Sequence, residues 1–244
     1  VARPSNILLA GTPEQREKYL FPCIRGEKWD CLAMTEPGAG SDLRGMKATA
    51  VQDGDDWVLN GTKHFISHAD LADFAIVFMA SGEEESARGK RKKITAFFVD
   101  KGTKGFAVRD GYRNVSHRGY TNAILEFDDC RLPASQVLGE VHKGFDVANS
   151  WLGATRLQVG ATCLGRAERA LGHAVEYAAQ RQQFGQQIGK FQGVSFKLAD
   201  MATELKAADL MVFEAGWKYD QGTVTDQDMA MAKLKATEML AYVA

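Results

Sequence analysis

Seven apolar residues in the last third of the chain, Val194, Leu198, Met201, Leu205, Ala208, Val212 and Ala215, alternate in spacing between four and three. Only a helix with one continuous buried seam reads such a register, because positions three and four apart share a face. Leu157, Ala161, Leu164, Leu171, Val175 and Ala178 give a similar stripe upstream, and Gly185 and Gly189 separate the two runs. Two long helices joined by a short break pack antiparallel within a bundle.

That period is absent upstream. Between residues 29 and 142 the β-rich runs are of strand length: 48–52, 57–59, 63–67, 74–79, 94–99, 106–109 and 123–127. Asp53-Gly54-Asp55-Asp56 is turn-forming, and Asn60-Gly61 reads as a hairpin turn from which residues 63–67 return. Short strands with regular turns point to a closed or sandwiched sheet rather than a parallel one. Ahead of it, Thr12 can cap a helix with Pro13 at its first position and Gln15 completing a capping box; this helix is expected to end near Pro22. The expected division is 1–28, a helical segment too short to fold alone; 29–142, a β-domain; and 143–244, a helical bundle. The fold class is α+β multidomain, an antiparallel β-barrel or orthogonal-sheet middle domain followed by antiparallel helices.

The formal net charge of −1 gives no electrostatic case for nucleic acid or an anionic membrane as partner. No apolar run approaches the roughly 20 residues of a membrane helix. Cys23, Cys31, Cys130 and Cys163 form no CxxC pair and read as reduced, buried thiols. His64, His68 and His117 lie on separate segments without metal-ligand spacing, so no metal site is expected. The start at Val1 and the stop at Ala244, just past the helix-like run 229–243 and with no glycine cap, lead to the expectation of a piece of a longer protein, with targeting signals outside it and the bundle incomplete.

The segment Met34-Thr35-Glu36-Pro37-Gly38-Ala39-Gly40-Ser41-Asp42 is the most informative. Pro37 with Gly38 and Gly40 makes a sharp turn that exposes backbone N–H groups, and the Thr35 and Ser41 hydroxyls stand beside it. Such a nest suits a pyrophosphate or a polar ring edge. It is not GxGxxG and no strand–helix crossover follows, so a Rossmann site is excluded.

As a string, this segment resembles the flavin-binding signature of the acyl-CoA dehydrogenase family. Asn60-Gly61-Thr62-Lys63-His64-Phe65-Ile66-Ser67 is similar to the family's second flavin-contacting strand. Residues 125–139, with Phe127-Asp128-Asp129-Cys130 and Leu132-Pro133, are similar to its exit from the β-domain. Arg181-Gln182-Gln183-Phe184-Gly185 followed by Phe191-Gln192 is similar to its helical signature. Residues 12–22 resemble the end of its N-terminal helical domain.

The resemblance implies an FAD-dependent enzyme that forms an α,β double bond in an acyl-CoA thioester, with hydride passing to flavin N5. It implies that Thr35 hydrogen-bonds the flavin ring, that Gly40 and Ser41 approach the pyrophosphate, and that Ser41 also lies near acyl-CoA. Met34 and Phe65 would pack on the isoalloxazine, Leu32 and Ile66 would flank it, and Ser67 would point its hydroxyl at N5. Arg181, Gln183, Phe184 and Gln192 would hold the FAD of a neighbouring subunit, which implies a homo-oligomer, a dimer of dimers. Arg156 would line the acyl-CoA cleft. Members often carry an acidic residue three positions before that arginine, where this chain has Gly153.

No catalytic base is assigned within the chain. In most members it is a Glu well downstream of the helix bearing Gln192, which places it beyond Ala244; others place it just before the arginine, here Thr155. Glu204, Glu214 and Glu238 have no motif support, and the chain alone is expected to be inactive. An electron-transfer flavoprotein is the implied electron acceptor, in the cytoplasm of a bacterium or the mitochondrial matrix of a eukaryote. Two alternatives stand: an acyl-CoA oxidase or flavin monooxygenase of the same superfamily, and a non-catalytic FAD-binding scaffold. The basic run 88–93 is open to two readings, contact with CoA phosphates or a solvated hairpin beside Glu83, Glu84 and Glu85.

Overall fold

The computed structural model describes residues 5–86, 89–115, 118–119 and 121–244, so His117 and Arg88 lie outside the described residues. The chain divides into two compact units, residues 1–151 and 152–244.

The first unit is built on a curled sheet of eight strands: β1 Asp30–Ala33, β2 Thr49–Asp53, β3 Asp56–Ser67, β4 Phe74–Ser86, β5 Gly89–Asp100, β6 Phe106–Tyr112, β7 Asn122–Pro133 and β8 Val137–Leu138. Their order is β6-β7-β3-β2-β4-β5-β8, with β1 parallel to β4. A single parallel pair, Thr49 with Ala80, joins the antiparallel halves. The apolar runs of β4 and β5 are continuous because both faces are buried. Ala75, Val77, Met79, Phe97 and Val99 enter one core with Trp57, Leu59, Leu125 and Phe127. Phe74, Ile76, Phe78, Ile94, Ala96 and Phe98 enter a second, together with Tyr19, Leu20, Cys23, Met34 and Met46.

The N-terminal segment is thus a lid on the β-unit. Thr12 and Gln15 form the expected capping box at α1 Pro13–Gln15. Gln15 Nε2 donates to the carbonyls of Ser135 and Val137, 2.8 Å each, and the Tyr19 ring stacks on Phe98 with centroids 4.1 Å apart. The helix does not stop at Pro22 itself but runs on to Ile24, two residues past it and so near the expected end. A π turn over Arg16–Leu20 intervenes, and α2 Phe21–Ile24 continues with Pro22 in its first turn, where the missing N–H is tolerated.

Asn60-Gly61 is not a hairpin turn. β2 and β3 are joined at Gly54, φ +63°, and β3 runs unbroken through Gly61. Gly61 sits at φ +133° where the pairing with β7 slips by one residue; a Cβ there would lie 2.5 Å from the Ala48 Cβ. The glycine answers to a bulge and a close crossing of chains.

The second unit holds most of α3 Gly144–Gln180, with α4 Gln192–Asp220 and α5 Asp226–Val243. Ala208, Val212 and Ala215 of the seam are buried with Cys163, Leu164, Ala167, Ala232, Ala236 and Met239. On α3 the expected stripe is met in part: Leu164 and Ala178 are buried and Leu157 and Leu171 pack against the core together with Cys163 and Ala167, whereas Ala161 and Val175 are exposed. Small residues there let the helices approach closely; a Cβ on Gly160 would lie 3.1 Å from Val212. At the end of α5 the Ala244 N–H donates to the Leu240 carbonyl at 3.0 Å, so the helical bonding reaches one residue past Val243. All four cysteines are buried and free. Among the described residues no helix is long and apolar enough to cross a membrane.

Gly61→Ala should lower the unfolding free energy by about 1–3 kcal/mol, because alanine meets both a left-handed backbone and the Ala48 side chain. Denaturant titration checks this; an unchanged midpoint contradicts it.

Candidate functional site

β1 delivers Met34 and Thr35 to a tight reversal in which Glu36 and Ala39 exchange backbone hydrogen bonds of 2.9 and 3.2 Å, with Pro37-Gly38 at the tip. Neither Gly38 nor Gly40 has a left-handed backbone, and a Cβ on either would meet no protein atom within 4 Å. Neither turn geometry nor packing in this chain therefore requires these two glycines. Gly40 and Ser41 are exposed.

The reversal is bonded to β3 residue by residue. Lys63 Nζ donates to the Met34 carbonyl at 3.1 Å and to Glu36 Oε1 at 2.7 Å, and His64 N–H donates to the Thr35 carbonyl at 2.9 Å. The Glu36 carboxylate also accepts from Lys47 N at 2.6 Å and Ala48 N at 3.1 Å, at the entry to β2. The two side chains are 0% and 5% exposed. Burial pushes the Lys63 ammonium below its ordinary value, and the Glu36 carboxylate opposes that shift. Motif matching gave Glu36 and Lys63 no role. The available signal was period two: Trp57, Leu59, Gly61 and Lys63 alternate on one face of β3.

Beyond Lys63 the pairing with β7 slips again. Phe65 lies in this bulge at φ +56°, strained for an aromatic residue. Its ring is 47% exposed and leans on His64 and Tyr112, with centroids 4.2 Å away in each case. Tyr112 reaches His64 Nδ1 through its hydroxyl at 3.1 Å, a support the sequence did not reveal. Ile66 is buried and Ser67, at the strand end, is exposed. Met34, Thr35, Phe65 and Ser67 are therefore carried by two segments in direct hydrogen-bond contact. Among the described residues, the hydroxyls of Thr35, Ser41 and Ser67 make no hydrogen bond to the protein.

Arg181, Gln183, Phe184 and Gln192 belong to the second unit. There β9 Gln182–Gln183 and β10 Gln186–Gln187 form a hairpin whose two-residue turn is Phe184-Gly185, φ +51° and +76°. Such a turn ordinarily takes Asn-Gly. Here it carries a phenylalanine that is 93% exposed, with the Phe191 ring edge-on and centroids 6.1 Å apart. Arg156 pairs with Asp226 at 3.3 Å across an exposed gap. A Cβ on Gly153 would meet the Met229 methyl at 3.2 Å, so an acidic residue there would displace Met229.

Of the basic run, residues 89–93 lie on β5 opposite the acidic end of β4. Lys90 faces Glu83 at 3.7 Å and Arg91 faces Glu84 at 3.8 Å, while Lys92 donates to the Met46 carbonyl. Glu204 is paired with Lys235 and Glu214 with Lys218.

Phe184→Asn should stabilise the second unit by about 1 kcal/mol, since asparagine tolerates the left-handed turn and little packing is lost. Thermal unfolding checks it; a lowered midpoint would show that the phenylalanine serves the hairpin's own stability.

Two family models match the chain in tandem: the middle domain of acyl-CoA dehydrogenase over residues 31–130, and its C-terminal domain over residues 142–244. A 3-(aryl)acrylate reductase of Clostridium sporogenes is 42% identical over 95% of this chain and 60% of its own length. The CarC subunit of a caffeyl-CoA reductase–Etf complex of Acetobacterium woodii is 41% identical over 96% of this chain and 60% of its own length. The butyryl-CoA dehydrogenase structure from Megasphaera elsdenii superposes with a TM-score of 0.86 at 38% identity, covering 96% of this chain and 62% of that one. The chain thus spans about 60% of the length of the relatives it matches. With both family domains matched in order along one chain, and the curled sheet and helical unit superposing on a solved member, the chain belongs to the acyl-CoA dehydrogenase family.

Proposed function

We propose that the reversal at residues 34–41 and the end of β3 bind FAD, and that the protein exchanges hydrogen between this flavin and the α,β-carbons of an acyl-CoA thioester. The observation that carries the proposal is Phe65, an aromatic side chain held half-exposed on a left-handed backbone between His64, bonded to the Thr35 carbonyl, and Ser67, with the Thr35 and Ser67 hydroxyls making no hydrogen bond among the described residues. Strain of this kind costs about 1–3 kcal/mol and is characteristic of sites where a ligand must be met. The fit to a flavin is chemical. A flat, polar-edged ring needs an apolar face, here Met34 and Phe65 flanked by Leu32 and Ile66, and hydrogen-bonding groups at its rim, here Thr35 and Ser67. A pyrophosphate needs backbone N–H groups it can approach, and the open space beside Gly40 and Ser41 allows that.

When bound, FAD supplies a hydride acceptor at N5. In this reading Ser67 donates its hydroxyl to that atom and Thr35 holds the ring edge, so the ring keeps one orientation toward the substrate. Ser41 and Arg156 face acyl-CoA, the arginine once it leaves Asp226. We assign the proton-abstracting carboxylate to no residue up to Ala244. Glu204 and Glu214 are engaged in ion pairs with Lys235 and Lys218.

Arg181, Gln183, Phe184 and Gln192 are proposed to hold the FAD of a second subunit, in a homo-oligomer built as a dimer of dimers. Support comes from the Phe184 tip, which leaves an aromatic ring 93% exposed. The exposed Leu210, Phe213 and Trp217 along α4 add apolar surface suited to burial in a larger assembly. The Etf partnership named for CarC supports an electron-transfer flavoprotein as redox partner, in the cytoplasm of a bacterium or the mitochondrial matrix of a eukaryote.

A second reading concerns direction. Two relatives are named reductases, and one site can run hydrogen transfer either way, with the redox partner deciding. Incubating the holoprotein with an acyl-CoA and an oxidised acceptor, and separately with an enoyl-CoA and a reduced donor, separates the two.

Ser67→Ala should slow flavin reduction by acyl-CoA while leaving FAD affinity nearly intact, a loss of about 1–3 kcal/mol at the barrier. Stopped-flow bleaching of the flavin measures it, and an unchanged rate counts against the N5 contact. Arg181→Glu should lower both flavin content and oligomer size, because a carboxylate would face the pyrophosphate. Sedimentation with full flavin and an unchanged oligomer would contradict the subunit-bridging role.

A further inference from the structure

We propose that the buried Lys63–Glu36 pair is a positioning device for the flavin-facing residues Thr35 and Phe65, touching neither flavin nor substrate itself. The role presupposes FAD at the reversal, as proposed above. Three consecutive residues of the reversal are tied down. The Met34 carbonyl accepts from Lys63 Nζ, the Thr35 carbonyl from His64 N–H, and the Glu36 carboxylate from Lys63 and from the backbone of Lys47 and Ala48. Thr35 is therefore fixed from its backbone on both sides, while its hydroxyl remains for a ligand.

The other end of the pair acts on β3. Lys63 is the last residue in register with β7, opposite Leu125, before the bulge that carries Phe65; pairing resumes at Ile66 opposite Ala123. Anchoring the Lys63 ammonium fixes where the bulge begins and so where the Phe65 ring emerges. A pair that served stability alone could sit anywhere in the core. This one lies beside both flavin-facing positions, Glu36 directly after Thr35 and Lys63 two residues before Phe65. It also adds no net charge beneath the ring.

The test uses the protein purified with FAD. Lys63→Met alone strands a buried carboxylate and can fail to fold. The informative variant is therefore Lys63→Met/Glu36→Gln, which removes both charges. Lys63→Arg keeps the cation but presents it as a fork of different geometry. Thermal unfolding, the FAD dissociation constant and the visible circular dichroism of the bound flavin are recorded for each. The expected result is cooperative unfolding of the double variant with an FAD dissociation constant raised about tenfold or more and an altered flavin dichroism, and a smaller change of the same kind for Lys63→Arg. Wild-type affinity and dichroism in either variant would overturn the positioning role. A wild-type protein that retains no FAD would overturn the flavin reading itself, which the same preparation reveals first.

Discussion

The ion pair between Lys63 and Glu36 is the constraint on which the candidate site depends. Two charges lie almost fully removed from water, at a desolvation cost of several kcal/mol each. Such a pair persists when further hydrogen bonds compensate the lost water, and here the Met34 carbonyl and the Lys47 and Ala48 amides supply them. In doing so it ties together the exit of β1, the entry of β2 and the middle of β3. β2 and β3 also pair antiparallel from Thr49 and Asn60 outward, whereas β1 pairs with β4. The reversal at residues 34–41 is held to β3 by the ion pair and by the His64 N–H on the Thr35 carbonyl.

Local strain sits in two aromatics. Phe65 and Phe184 both adopt left-handed backbones and both are exposed, one in each unit. Under the proposed function both would meet a flat ligand with an apolar face, Phe184 that of another subunit, with side chains aimed at it before it arrives. Preorganisation of this kind lowers the ordering entropy that binding would otherwise have to overcome.

Much of the architecture was legible because it follows from periodicity. The seam of α4 and the capping box at Thr12 appear where the spacing put them, and the continuous apolar runs of β4 and β5 became strands buried on both faces. The failures have physical causes as definite. Asn60-Gly61 has the composition of a turn, but composition cannot distinguish a turn from a bulge pressed against Ala48. The α3 stripe was legible in Leu157, Leu164, Leu171 and Ala178 but incomplete, because the small inner-face residues Ala167 and Gly160 carry little hydrophobic signal. The site residues followed from family resemblance, yet the pair that holds them did not. Glu36 and Lys63 are 27 residues apart, and no local pattern announces their contact.

The most direct measurement is a crystal structure of the protein with FAD. The account predicts the ring lying on Phe65, with the hydroxyls of Thr35 and Ser67 within about 3.2 Å of its polar rim and the pyrophosphate beside Gly40 and Ser41. Density for the flavin away from the 34–41 reversal, or a ring that leaves both hydroxyls to water, would contradict it.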